Sequence, residues 1–145
     1  MIIKGARIID PYQNLDLVAD LLIEGERIKG IGKFEGDGID AGGKILAPGF
    51  IDLHSHLREP GFEYKETIRT GTMAGVRGGF TTICCMPNTE PPIDNSSTLE
   101  SVKEKALKEG VCEVLPIAAI TRGRKGEEIV EMAVSYTHLT LPTKA

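Results

Sequence analysis

The feature that most constrains the fold is an alternation of short apolar runs with helical segments after residue 49. The apolar runs are rich in β-branched residues, and a segment of helical composition follows each of them. The runs cover 50–57, 80–86 and 111–120, and the helical segments cover 66–78, 97–110 and 126–133. This order, with short connections, predicts an α/β fold in which parallel strands are joined by crossover helices.

Local signals set the ends of two of these helices. Gly78 and Gly79 are expected to end the first, since glycine is favoured at helix C-termini. The sequence Ser-Thr-Leu-Glu at 97–100 matches a capping box and predicts the start of the second. The helical period then places four apolar residues on one face of that helix. They are Leu99, Val102, Ala106 and Leu107.

The first 49 residues have a different character. They contain four short apolar or alternating runs, which predict β-strands at 1–9, 19–23, 27–31 and 44–47. Turn residues separate them, with Gly25-Glu26 as a tight hairpin turn and Pro48-Gly49 as the last stop. We therefore expect a small β-domain, or part of one, since so short a segment buries little core alone.

Composition excludes several classes of protein. Hydrophobic residues make up 41% of the chain and the net charge is −4, which is typical of a folded domain and argues against a nucleic-acid binder. The longest strongly apolar stretch, 114–120, is far shorter than the ~20 residues of a membrane helix, and the first residues lack a secretory signal. Three unpaired cysteines, Cys84, Cys85 and Cys112, indicate buried thiols in a reducing compartment, so we expect a cytoplasmic protein.

The sharpest chemical signal is an Asp-x-His-x-His pattern on the first strand after Pro48-Gly49. Strand alternation predicts that Asp52, His54, His56 and Arg58 share one face, and that Ile51, Leu53, Ser55 and Leu57 share the other, which packs under helices. Two neighbouring imidazoles can bind one metal ion, and imidazole is a preferred zinc ligand. Asp52 is then expected to brace the site. A pair of structural histidines is the alternative.

Two further polar residues lie at the carboxyl ends of strands, where sites in parallel β/α folds are found. Arg58 follows the second histidine, and its guanidinium can bind a carboxylate through two hydrogen bonds. The alternative for Arg58 is a surface salt bridge with Glu59 or Glu63. Asn88 follows the second strand, where its amide can reach the same pocket, although the Asn-Thr sequence alone is typical of a turn.

These motifs together carry a family resemblance. The segment 48–61, Pro-Gly-Phe-Ile-Asp-Leu-His-Ser-His-Leu-Arg-Glu-Pro-Gly, resembles the metal-binding strand of the amidohydrolase superfamily. With Gly-Gly-Phe-Thr-Thr at 78–82 and Met-Pro-Asn-Thr-Glu-Pro-Pro-Ile-Asp at 86–94, it resembles bacterial dihydroorotases that have an N-terminal β-domain. The resemblance implies the start of a (β/α)8 barrel, about three units, preceded by part of a small β-sandwich.

The resemblance also implies a site and a reaction. His54 and His56 would bind zinc, one or two ions per complete subunit, and Arg58 and Asn88 would hold the substrate carboxylate. The family reaction is the reversible opening of the cyclic amide of dihydroorotate to N-carbamoyl-aspartate, in pyrimidine biosynthesis. The implied partner is this small molecule, and neither a nucleic acid nor a membrane is expected as a partner. The complete enzyme can form a homo-oligomer.

The chain departs from the family in its length. A complete barrel needs roughly 250 residues, so 50–133 supply only the first units, after a β-region at 1–49. No catalytic residue is expected within this chain, because the resemblance places the catalytic Asp and the remaining ligands on later strands; His138 matches no ligand motif. Residues 134–145 resemble translated adapter sequence and are interpreted as a non-native tail. We expect this polypeptide by itself to be an inactive or unstable fragment.

Two other functions stay open from the sequence. The first is a sister cyclic amidohydrolase, an allantoinase or a hydantoinase, against which Arg58 and Asn88 count; a hydantoinase also needs a modified bridging lysine beyond this segment. The second is a non-catalytic amidohydrolase-like subunit that acts by assembly. The retained His54 and His56 argue against that function, since a degenerate relative has no chemical need for both.

Overall fold

The computed structural model describes residues 1–130, and its contacts divide the chain into two units that begin at Met1 and Gly49. The first unit contains only strands: β1 (Ile2–Asp10), β2 (Leu15–Glu24), β3 (Arg27–Gly32), β4 (Ile39–Asp40) and β5 (Ile45–Leu46). The second contains β6 (Phe50–Ser55), α1 (Ile68–Arg77), β7 (Phe80–Cys85), α2 (Ser96–Glu109), β8 (Glu113–Pro116) and a 3-10 turn at Arg122–Arg124. The predicted α/β class with an N-terminal β-region is confirmed.

The first unit is one sheet built around β1. Its order is β3-β2-β1-β4, with β5 also paired to β1; β1, β2 and β3 are antiparallel, whereas β4 and β5 run parallel to β1. The buried centre is small, consisting of Ala6, Ile8, Leu21 and Ala41. The tight turn predicted at Gly25-Glu26 is present, with Gly25 at φ 59° between paired Glu24 and Arg27. The sequence did not indicate β4, which has only two residues, both exposed.

The second unit has the predicted parallel arrangement. The strands follow the order β6-β7-β8, and α1 and α2 connect them. Both helices pack on the same core as the sheet, and its buried members are Leu57, Ile68, Ile83, Cys85, Ile93, Leu99, Val102 and Ala106. Leu107, predicted on the apolar face of α2, is 86% exposed instead. Within residues 1–130 no helix has the length and apolar character needed to cross a membrane.

The helix starts differ from the predicted ones in detail. The N-cap of α2 is Asn95, whose side chain accepts a 2.9 Å hydrogen bond from the Thr98 backbone N–H, so the predicted capping box at 97–100 is wrong. A capping box is present on α1 instead, where Thr67 and Thr70 bond reciprocally. Asn ranks with the strongest N-cap residues, which explains why the helix begins two residues earlier.

The third predicted helix is wrong over the residues that the structure describes. Residues 126–130 form no helix; the Arg122 N–H donates to the Glu128 carbonyl at 2.9 Å, and the Val130 N–H donates to the Ile120 carbonyl at 3.0 Å. Gly123 and Gly126 adopt φ of 57° and 79°, which turns the chain back on itself. The rest of that segment, 131–133, and the interpreted tail at 134–145 lie outside the described residues.

Glu59 is the one charged side chain that is buried among residues 1–130, at 4% exposure. One carboxylate oxygen accepts a 2.8 Å hydrogen bond from the Ile68 backbone N–H at the start of α1, and the other pairs with Lys105 of α2. This hydrogen-bonded pairing raises the pKa of Lys105. The Glu59 carboxylate therefore joins the loop after β6 to both helices, and it sits at the helix end where negative charge is favourable.

Replacing Glu59 is expected to destabilise this unit. Glu59→Leu leaves the buried Ile68 N–H without an acceptor, which should cost about 2–3 kcal/mol in the free energy of unfolding. Glu59→Gln keeps an acceptor and loses only the ion pair, so it should cost about half as much or less. Urea unfolding followed by circular dichroism measures both. Equal losses for the two variants would contradict this account of Glu59.

Candidate metal centre

Strand β6 carries an irregularity next to the histidines. Asp52 pairs with Ile83 and Ser55 pairs with Cys85, so β6 has one more residue than β7 across this stretch. Because an extra residue breaks the alternation of faces, Asp52 does not continue the row of His54 and His56. Its carboxylate instead accepts a 2.9 Å hydrogen bond from the His54 backbone N–H. The predicted shared face is therefore wrong for Asp52.

The same irregularity changes which residues of β6 lie on the face that packs under the helices. Leu57 is buried at 3% exposure in the core beneath the helices, as expected. Ile51 and Leu53 were predicted to pack under the helices too, but they are 58% and 72% exposed. Their side of β6 is not covered by any of the described residues, which is consistent with a strand that faces the interior of a larger barrel.

The structure brings the two predicted metal ligands together. The rings of His54 and His56 lie edge to face, with centroids 5.3 Å apart and planes inclined at 70°. His54 is exposed, and His56 is half-buried. The two rings are therefore neighbours at the carboxyl end of β6, where sites in parallel β/α folds are found.

Asn88 reaches the same place from the end of β7. Its amide oxygen lies 2.8 Å from His56 Nδ1. The ends of the two strands are also joined by the backbone, since the Met86 N–H donates to the Ser55 carbonyl at 2.8 Å. The structure therefore places the Asn88 amide against His56, a partner that the sequence did not indicate.

Arg58 lies two residues after the second histidine, His56. Its φ is 62°, a backbone conformation that is uncommon for a residue other than glycine and that is enriched at functional sites. Among the described residues its guanidinium forms no ion pair. The salt bridge considered with Glu59 or Glu63 is absent there, because Glu59 binds Lys105 and Glu63 accepts from the Gly61 N–H at 2.9 Å.

The loops that carry Arg58 and Asn88 are fixed to each other. The Glu90 N–H donates to the Pro60 carbonyl at 2.9 Å. Gly61, at φ 97°, lies so close to Glu90 that a side chain there would collide with the Glu90 backbone. These contacts hold the loop after β6 and the loop after β7 in one arrangement, which sets the spacing between the polar groups that project from them.

The donor set suits a metal ion but is incomplete in this part of the chain. His54 and His56 supply two imidazoles, and no group of three or more His, Cys, Asp or Glu side chains capable of holding a metal occurs within residues 1–130. Zinc in catalytic sites takes three protein ligands or more. The two histidines would therefore supply part of such a ligand set and not all of it.

The cysteines do not contribute to this donor set. All three are free thiols, and Cys85 is buried. Burial raises the pKa of the Cys85 thiol to about 11, and it also raises the pKa of Cys84 and Cys112. Because the thiolate is the form that binds metals and reacts with electrophiles, these residues are poor ligands near neutral pH.

Alkylation is expected to distinguish these thiols. At about pH 8 the buried Cys85 should react with iodoacetamide at least about tenfold more slowly than Cys84 or Cys112, because it is both covered and held protonated. The measurement is mass spectrometry of peptides after timed labelling, with the urea-unfolded chain as the control in which all three react alike. Equal rates in the folded chain would contradict the burial of Cys85.

Sequence reasoning assigned no role to Asp94, which connects two loops at this end of the sheet. Its carboxylate accepts a 2.7 Å hydrogen bond from the Gly123 N–H, and this contact lowers the pKa of Asp94. The bond ties the loop after β7 to the turn after β8. The signal available in the sequence was the Asp-Asn pair before a helix, which indicates a cap and does not identify a distant partner.

Comparison with known proteins shows which family this sequence matches. The sequence model of the family described as dihydro-orotase-like matches residues 43–140. A dihydroorotase of Thermoanaerobacter sp. (strain X514) is 56% identical over 137 residues, which are 92% of this chain and 32% of that protein. A dihydroorotase of Endomicrobium trichonymphae is 55% identical over 135 residues, again 32% of its length. The chain thus spans about a third of these relatives.

Solved structures that this chain resembles include two hydantoinases. The L-hydantoinase of Arthrobacter aurescens superimposes with a TM-score of 0.73 at 25% identity, covering 83% of this chain and 28% of that one. The D-hydantoinase of Thermus sp. gives a TM-score of 0.63 at 33% identity, covering 83% and 27%. The expected barrel-type architecture with a preceding β-region is therefore confirmed.

Proposed function

Because the chain belongs to the dihydro-orotase-like family, we propose that it is part of a zinc-dependent dihydroorotase. The reaction is the reversible hydrolysis of the cyclic amide of dihydroorotate to N-carbamoyl-aspartate, a step of pyrimidine biosynthesis. Residues 1–49 belong to a small β-domain, and 50–133 are the first units of the barrel. The protein works in the cytoplasm on a small molecule.

The proposed roles of the histidines follow from their place on β6. His54 and His56 hold the ion through imidazole nitrogens at the carboxyl end of the strand. When bound, zinc supplies a Lewis acid that polarises the amide carbonyl and lowers the pKa of water. The catalytic Asp and the other ligands come from parts of the protein beyond the described residues, so this chain by itself is not expected to turn over substrate.

Arg58 is proposed to hold the substrate carboxylate. Its guanidinium has no ion-pair partner among residues 1–130, and it lies next to the histidines on a loop that is fixed at Glu59 and Pro60. A guanidinium binds a carboxylate in a planar, two-bonded geometry. Holding the ring at one end presents its amide to the ion at the other end, which is the positioning that catalysis needs.

The observation that carries this proposal is the set formed by the two imidazoles, Arg58 and Asn88 at neighbouring strand ends, in a chain 56% identical to a dihydroorotase. The test is a hybrid that joins residues 1–130 of this chain to the remaining two thirds of the Thermoanaerobacter enzyme. We expect the zinc-loaded hybrid to open dihydroorotate. A well-folded, zinc-loaded hybrid without that activity would contradict the proposal.

A second candidate is a hydantoinase, because the solved structures of the same fold carry that name. A dihydroorotate ring bears a carboxylate that Arg58 can bind, whereas an unsubstituted hydantoin offers none. The hybrid should therefore prefer dihydroorotate over hydantoin. A second hybrid joins residues 1–130 to the remaining part of a hydantoinase. Faster opening of hydantoin than of dihydroorotate by both hybrids would favour the second candidate.

Arg58 is expected to matter most for substrates with a carboxylate. Replacing it by methionine removes a charge-assisted contact worth about 1.5–3 kcal/mol, so kcat/KM for dihydroorotate should fall about 10- to 150-fold in the hybrid. Arg58→Lys should recover only part of this loss, because lysine cannot make the two-bonded contact. Steady-state kinetics measure both, and an unchanged kcat/KM in Arg58→Met would contradict the role.

A further inference from the structure

We propose that Asn88 is a positioning residue for His56, whose amide oxygen keeps the imidazole proton on Nδ1 and so leaves Nε2 as the metal-binding atom. This inference rests on the proposed function for its metal, but its geometric basis is separate. It gives Asn88 a task beyond contact with substrate. The task is to fix which nitrogen of His56 carries a lone pair and where that lone pair points.

The donor and the acceptor of this contact determine which ring nitrogen of His56 carries the proton. The Asn88 amide oxygen lies 2.8 Å from His56 Nδ1, which is a full hydrogen-bond distance. An amide oxygen accepts and does not donate, so in this orientation of the Asn88 amide the hydrogen of the contact belongs to Nδ1 of His56. In the neutral imidazole the other nitrogen, Nε2, is then unprotonated and available as a ligand.

The position of Asn88 is well determined by its neighbours. Pro87 and Thr89, on either side, are buried. The Thr89 hydroxyl donates to the Pro91 carbonyl at 2.7 Å, and the Ile93 N–H donates to the Pro87 carbonyl at 3.2 Å. A side chain carried by so constrained a loop keeps its contact with His56 at little entropic loss, which is what an orienting group requires.

Asn88 can serve both the histidine and the substrate. Its oxygen is engaged by His56, whereas its NH2 group retains two donors that can face a substrate carboxylate. The two tasks use different atoms and can therefore be separated by substitution. Asn88→Asp keeps an acceptor for Nδ1–H and removes the NH2 donors, whereas Asn88→Ala removes both.

The test is the tautomer of His56, read from two-bond proton–nitrogen correlations of the 15N-labelled 145-residue chain without metal. All spectra are recorded at one pH, about 8. We expect the wild-type chain and Asn88→Asp to protonate His56 on Nδ1, and Asn88→Ala to shift His56 toward the Nε2-protonated form. Signals are assigned by their loss in His56→Ala.

A matched control separates this role from a general loss of structure. Asn95→Ala removes an N-cap of α2 and so destabilises the same unit without touching His56. It should leave the His56 tautomer unchanged. The proposal is overturned if wild-type His56 is protonated on Nε2, if Asn88→Ala keeps the Nδ1 proton, or if Asn95→Ala shifts the tautomer as much as Asn88→Ala.

Zinc titration of the same samples is a second arm. Loss of an orienting partner should raise the dissociation constant for zinc about 10- to 100-fold in Asn88→Ala. In Asn88→Asp it should stay within about threefold of the wild-type value, since the acceptor remains. If zinc fails to perturb the rings of His54 and His56 while the tautomers behave as expected, the proposed metal function is wrong and the orientation by Asn88 stands.

Discussion

Replacing both histidines of the pair, His54→Ala with His56→Ala, is expected to abolish dihydroorotate turnover by the hybrid enzyme. The metal contributes several kcal/mol of transition-state stabilisation, and each 1.36 kcal/mol corresponds to a tenfold change in rate. Loss of about 4 kcal/mol or more therefore predicts a fall in kcat/KM on the order of 10³-fold or greater. The measurement is a continuous assay of ring opening with zinc in excess.

The control for this experiment is a double substitution on the solvent face of α2, Glu104→Ala with Lys108→Ala. Both side chains are exposed and distant in sequence from the strand ends. This variant should keep its turnover within about twofold, as surface substitutions are usually within 0.5 kcal/mol. Turnover that survives the loss of both histidines would contradict the role given to β6.

The largest expected loss of stability comes from Leu99 in α2. Its side chain is 2% exposed and belongs to the core shared by the helices and the sheet. Leu99→Ala should lower the free energy of unfolding by about 3–4 kcal/mol, because it removes buried methyl groups and leaves a cavity that rigid neighbours fill only in part. Urea unfolding of the 145-residue chain, followed by circular dichroism, gives the value.

The same helix offers a matched control. Leu107 has the same side chain and is 86% exposed, so Leu107→Ala removes the same atoms without opening a cavity. It should change the free energy of unfolding by less than about 0.5 kcal/mol. Similar losses for Leu99→Ala and Leu107→Ala would mean that α2 does not pack on the sheet through the face that carries Leu99.

Local patterns in the sequence were enough for most of the fold. The apolar runs located β6, β7 and β8. The helical segments between them implied parallel pairing, because each crossover helix returns the chain to the end of the sheet where the previous strand began. The pairing of His54 with His56 followed from their spacing on one strand. These features depend on residues close in sequence, which is why the sequence alone could predict them.

Features that depend on distant contacts were not predictable in this way. The extra residue in β6, which turns Asp52 away from the histidine row, is visible only in the pairing with β7. The pairing of Glu59 with Lys105 joins residues far apart in sequence, and no local pattern indicates it. The Asn88–His56 hydrogen bond joins the ends of two strands in the same manner.

The third helix illustrates a weak local signal. Its predicted residues showed helical composition for barely two turns, without a capping residue at Gly126. Short isolated helices are marginal unless tertiary packing supports them. In residues 121–130 the chain instead closes a turn through the Arg122–Glu128 and Ile120–Val130 backbone bonds, because Gly123 and Gly126 permit positive φ there.

Metal content tests the central claim most directly. The hybrid protein is loaded with zinc, dialysed, and analysed for bound metal per chain, beside the His54→Ala/His56→Ala variant prepared in the same way. We expect about one zinc or more per chain in the parent hybrid and a nearly metal-free double variant, since both imidazoles are taken to be ligands. Equal zinc content in the two proteins would contradict the assignment of His54 and His56.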